Sequence, residues 1–198
     1  PDDRIECIKR SMPNVGIGAT PLDVFENSPA RVWELKRGNR HVVGLFNYDA
    51  AKPQHISVPA ERLGYSAAGT VIYALDFWTQ KVSVVVGGEL SATLPPCGNS
   101  VLALRKVSEH PQLLGTNRHI TQQFVDVRSE SFDSAKNTLT VELDVVANDA
   151  LKVTLLRRTM SGGSKLSGYQ FSVVDVPAQV QVSYVEDGDV YRFSIISP

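Results

Sequence analysis

The sequence predicts an all-β protein, an antiparallel β-sandwich in two sandwich-like units with a short N-terminal helix. Three observations carry this. Short runs rich in β-branched and aromatic residues follow one another from residue 31 to 107, separated by Gly, Pro, Asn or Asp. The later runs alternate apolar and polar positions with period two. No stretch alternates strands with the helical crossovers that a parallel sheet needs, so the pairing is antiparallel.

In order, RIECIKRSM places Ile5, Ile8 and Met12 three and four residues apart, one apolar face of a short helix that Pro13 and Gly16 end. After the loop GATPLDVFENSPA come RVWELK, HVVGLFN, QHISV, TVIYAL, KVSVVV, ELSATL and SVLALRKV as strands. Residues 41 to 46 are apolar on both faces apart from His41, which predicts a central strand covered on each side. In TLTVELDVV, Leu139, Val141, Leu143 and Val145 point one way and Thr138, Thr140, Glu142 and Asp144 the other. Val153 and Leu155, then Val180, Val182 and Tyr184, then Tyr191, Phe193 and Ile195 continue that pattern. About a dozen strands and no second helix result, more than one ordinary sandwich holds. The division expected is 1–107, a short helix and linker followed by a sandwich, and 108–198, a second β-rich unit or an extension of the first.

Charge excludes some partners. With 20 basic and 21 acidic residues the net charge is −1, leaving no electrostatic footprint for nucleic acid or anionic lipid. No apolar run approaches the roughly 20 residues needed to span a bilayer. The chain opens at Pro1 without an initiator Met, so the natural N-terminus is expected to be missing and the compartment is open. Cys7 and Cys97 match no metal-ligand spacing; the default reading is two free, partly buried thiols, with a disulfide as the alternative.

No catalytic, cofactor-binding or metal-binding residue follows from the motifs. Glycoside hydrolysis needs two carboxyl groups about 5 Å or more apart across the scissile bond. Most acids here sit at turns, as in Glu186-Asp187-Gly188-Asp189, which reads as a solvated hairpin turn. Asp76, in LDFWT, reads as bonding a turn amide beside buried Phe77 and Trp78. His41, His55, His110 and His119 show neither HxH nor HxxxH spacing. Cys97, in PPCGNS, has no helix or nearby His to activate it, and there is no GxSxG elbow. VGIGAT continues with Pro and Asp rather than Lys and a helix, so it is no phosphate loop. MSGGSKLSG, residues 160 to 168, reads as a flexible hairpin tip.

Taken in order, RIECIKRSMPNVGIGATPLDVFENSPARVWEL, VVGLFNYDAAKPQHISVP, LDFWTQKV, VLALRKVSEHPQLLGTNRHITQ and FVDV resemble the C-terminal part of melibiase-type glycoside hydrolases, the α-galactosidases and their relatives, over roughly residues 4 to 127. The resemblance implies a catalytic (β/α)8 barrel ahead of a β-sandwich, with both catalytic carboxylates in the barrel. A barrel takes about 250 residues, so these carboxylates lie outside this chain and none is carried over. The resemblance thus implies a non-catalytic C-terminal sandwich that packs on and stabilises the barrel of the same polypeptide. The opening helix resembles the last helical segment of that barrel, which predicts an exposed apolar face.

The alternative is a carbohydrate-binding module, with Trp33, Trp78, Tyr48 and Tyr169 as candidates to stack on sugars. No nucleic-acid or membrane partner is expected. HPQLLGTNRHITQ, residues 110 to 122, reads as a joint between the two units: Pro111 and Gly115 mark a turn after VLALRKV, and HITQQFVDV resumes an extended course. Arg118, His119, Thr121 and Gln122 are expected to be buried and to bond backbone groups of that connection.

Overall fold

The computed structural model describes residues 2–12, 16, 18–66, 70–86, 88–157, 172 and 180–197. The hairpin tip expected at 160–168, Pro13 and Tyr169 lie outside the described residues. The chain divides into two compact units, one of Asn14–Val107, the other of Pro1–Pro13 with Ser108–Pro198. The opening helix therefore groups with the C-terminal stretch and not with the strands that follow it in sequence.

The first unit holds β1 (Thr20–Pro21), β2 (Val32–Arg37), β3 (Arg40–Phe46), β4 (Gln54–Pro59), β5 (Val71–Asp76), β6 (Val82–Val86), β7 (Glu89–Leu94) and β8 (Asn99–Lys106). A six-stranded antiparallel sheet in the order β1-β2-β3-β8-β5-β6 lies against the two-stranded sheet β4-β7. Alternation decides what lies between them. Val43, Leu45, Leu102 and Leu104 project from the large sheet, Ile56, Val58, Leu90 and Leu94 from the small one, and all are buried in one cluster. Between β4 and β5, the 3₁₀ turn Ala60–Leu63 adds Ala60 and Leu63 to that core and ends at Gly64, whose φ of 78° suits a residue without Cβ.

The opposite face of β3 is covered too. Val42 is buried, and a Cβ at Gly44 would come within 2.6 Å of the Phe46 ring, so the strand is closed on both faces as its apolar run predicts. Val101, Ala103 and Leu75 extend that second buried face across β8 and β5.

The second unit holds α1 (Asp2–Ser11), β9 (Gln112–Thr116), α2 (Gln123–Asp126), β10 (Val127–Asp133), β11 (Thr138–Leu143), β12 (Leu151–Leu156), β13 (Gln181–Asp187) and β14 (Val190–Ile196). Its four-stranded sheet runs β13-β14-β12-β9, and β10-β11 is a separate hairpin. Leu113, Val127, Leu151 and Val153 are the buried centre, with Val141, Leu143, Val145, Phe193 and Ile195 packed around them. The acidic turn joins β13 to β14, with Gly188 at φ 60°, and its acids meet arginines: Asp187 with Arg192 at 2.8 Å and Glu186 with Arg157 at 3.2 Å.

Two expectations need correction. The described residues contain a second helix, the single turn α2, which the extended reading of HITQQFVDV misses. The expected turn at Pro111 and Gly115 is instead strand β9, buried at every position, with Gly115 opposite Thr154 and Leu113 opposite Leu155. Leu114 is the extra residue of a β-bulge. A bulge beside a glycine looks like a turn in sequence, because both break the period of two.

Candidate functional site

Asp76 closes β5, and its carboxylate is fully engaged. Oδ1 accepts from the Thr79 backbone N–H at 2.8 Å and the Thr79 hydroxyl at 2.9 Å, and Oδ2 accepts from the Ser100 hydroxyl at 2.6 Å. This is the turn-bonding role expected of it. Phe77 is buried as expected, but Trp78 is 47% exposed: its ring meets the edge of Phe77 at 4.9 Å and its Nε1 donates to Asn99 Oδ1 at 2.7 Å. The residue lies past the end of β5, in a turn, where strand alternation no longer dictates direction.

The aromatic candidates separate. Trp33 is partly buried and its Nε1 donates to the Ala30 carbonyl at 2.9 Å. Tyr48 is half-exposed, its ring stacked 6.0 Å from that of Phe46.

Each histidine has its own partner. His41 Nδ1 donates to Glu34 Oε1 at 2.6 Å, deep in the first unit, with Tyr65 beside it at 5.0 Å between ring centroids. Burial, reinforced by the nearby Glu34 charge, pushes the Tyr65 phenol up to about 12. His55 Nδ1 lies 3.3 Å from Thr93 Oγ1, and His110 stacks on Phe132 while its Nδ1 donates to the Pro111 carbonyl. Among the described residues no three His, Cys, Asp or Glu side chains are grouped as metal ligands. Cys7 and Cys97 are unbridged, and both are exposed rather than partly buried. Cys97 sits at φ 53° in a tight turn, which turns its side chain away from the core.

A dense polar cluster of the described residues lies in the second unit, around Thr116–Asp126 and outside the residues of the first sandwich. Asp126, 1% exposed at the end of α2, accepts from Thr116 Oγ1 at 2.7 Å and His119 Nδ1 at 3.0 Å, with Arg118 Nη1 at 3.5 Å. Arg118 is itself buried, donating to Asp149 Oδ2 at 2.9 Å and to the Asp144 and Asp149 carbonyls at 2.8 and 3.3 Å. Burial raises the pKa of Asp126 against the pull of Thr116, His119 and Arg118. Gln122 is fully buried at φ 49°, ψ −128°, its N–H donating to the His119 carbonyl at 2.7 Å, and the buried Thr121 hydroxyl finds no acceptor. Arg118 thus bonds backbone carbonyls as the sequence suggests, whereas His119 is only partly buried and bonds the Asp126 carboxylate instead. Their hub, Asp126, was not singled out; the available signal is one acid flanked by Phe124, Val125 and Val127.

This arrangement orders backbone. Asp126 has every oxygen occupied by its own chain, and Asp144 and Asp149 face arginines. Comparison with known proteins locates the chain more sharply. Residues 28–104 match the family described as the alpha galactosidase C-terminal beta sandwich domain. No curated protein matches the sequence. Among solved structures, a GH27 β-L-arabinopyranosidase variant from Geobacillus stearothermophilus, in complex with arabinose, is 23% identical over 39% of this chain and 17% of that one, with a TM-score of 0.34. The wild-type enzyme of that organism is 24% identical over 37% of this chain and 16% of its own, with a TM-score of 0.33. The chain therefore spans less than a fifth of the length of those enzymes. The sandwich formed by residues 28–104 is of the α-galactosidase C-terminal type.

Proposed function

We propose that this chain is a non-catalytic C-terminal portion of an α-galactosidase-like glycoside hydrolase, and that it packs on and stabilises a catalytic (β/α)8 barrel of the same polypeptide. The observation that carries the reading is the family match over residues 28–104, which spans β2 to β8 and their shared core. The carboxylates support it. Glycosidases hold one acid ready to donate a proton and another ready to attack or activate water. Here Asp76 is consumed by Thr79 and Ser100, Glu34 by His41, and Asp126 by Thr116, His119 and Arg118.

A nitrophenyl α-galactoside assay of this chain tests the proposal. No turnover is expected; turnover abolished by replacing one of its own carboxylates overturns it.

A further inference from the structure

The unit outside the matched residues has no role so far, and α1 suggests one. A ten-residue helix does not persist in water by itself. Burial does not rescue it, because Ile5, Ile8 and Met12 are 54%, 63% and 59% exposed. Its hold is polar and sits at its C-terminal turn. The Ile120 N–H donates to the Arg10 carbonyl at 2.8 Å, one of the carbonyls a helix end leaves over, and Arg10 Nη1 donates to the Asn117 and Arg118 carbonyls at 3.1 and 3.4 Å.

Those acceptors are fixed from behind. Asn117 Oδ1 accepts from the Lys152 N–H at 2.7 Å and its own N–H donates back to the Lys152 carbonyl, tying it to β12. Arg118 is held by Asp149 and the Asp144 carbonyl, and His119 by Asp126.

We propose that Asn117–Ile120 is a latch that grips α1 by Arg10, so that residues 108–197 hold the helix with Ile5, Ile8 and Met12 facing the catalytic domain of the same polypeptide. That occupant is chosen on two grounds. The matched family is by its description a C-terminal domain, so its catalytic neighbour lies on the N-terminal side, where α1 is. The charged side of α1 is already engaged, Glu6 with Lys9 at 2.9 Å and Arg10 with Glu6 and the latch, which leaves the apolar side for a contact. Only the identity of the occupant rests on the proposed function; the latch stands without it.

Hydrogen exchange on the whole chain tests both parts. In the wild type, amides of residues 2–12 should exchange at least about tenfold more slowly than in the isolated peptide. Arg10→Ala should remove about tenfold of that protection, Arg10→Lys should retain part of it, and β3 and β8 should not change. Wild-type α1 exchanging like the free peptide, or unaltered α1 protection in Arg10→Ala, overturns the latch. Ile8→Glu should leave the urea midpoint of this chain where it is; a fall shows that the face is not available for docking. A positive galactosidase assay would refute the proposed function, and with it the occupant, and leave the latch intact.

Discussion

Replacing Asp126 separates two ways in which a buried carboxylate can serve a fold. In Asp126→Ala, Thr116 Oγ1 loses its acceptor at 2.7 Å, His119 Nδ1 its partner at 3.0 Å, and buried Arg118 one of its two carboxylates. Removing one member of a buried polar group costs about 3–5 kcal/mol, because the survivors stay buried and unmatched. Against a typical total of about 5–15 kcal/mol, that is a large loss. Asp126→Asn is a different perturbation. Burial raises the Asp126 pKa, so ionising this carboxyl is less favourable in the folded chain than in the unfolded one. The amide oxygen can still accept from Thr116, and Arg118 keeps Asp149, but the amide NH2 then faces the His119 and Arg118 donors; the expected cost at pH 7 is real but smaller than that of Asp126→Ala.

The same shift fixes the pH dependence. A folded pKa above the ordinary 3.8 means that the contribution of this group is fully present below that value and is lost as pH rises through the folded pKa. Wild type should therefore gain on Asp126→Asn as pH is lowered from 7 towards 4. Urea denaturation of wild type and both variants at pH 7, 5.5 and 4 measures these differences. An Asn variant as damaged as the Ala variant at pH 7, or a wild-type-to-Asn gap that does not move with pH, refutes the reasoning.

Leu45, fully buried between the two sheets of the first unit, should cost about 3–5 kcal/mol when truncated to Ala, read as a fall in thermal or urea midpoint. A loss under 1 kcal/mol would mean that the cluster is not packed as described. Cys7 and Cys97 are both exposed, so two thiols should react with a chromogenic disulfide reagent in the native state; fewer than two would show that one is protected or bridged.

The first unit was the more legible. ELSATL matches β7 residue for residue, and the other six runs between 31 and 107 match their strands to within one residue at each end, because each is bounded by residues that end strands chemically. β11 kept its alternation, with Thr138, Thr140 and Glu142 exposed and Leu139, Val141 and Leu143 turned inward. Elsewhere tertiary context decided. β10, VRSESFD, is too polar to announce itself and exists through pairing with β11. β9 was hidden by its bulge, and α2 by residues, Gln123 to Asp126, that carry no capping signal. The Asp126 cluster was illegible for the same reason: a hub is defined by what surrounds it, and Thr116, Arg118 and His119 converge only when β9 and α2 fold back on each other.

The second unit is assembled from both ends of the chain, with residues 14–107 inserted between its parts. During synthesis at about 5–20 residues per second, Arg10 leaves the ribosome several seconds before its partner Asn117, 107 positions later. The inserted sandwich holds its own core and can fold in that interval. The grip of residues 117–120 on Arg10 can therefore form only after that sandwich has emerged, so this contact closes late in the making of the second unit.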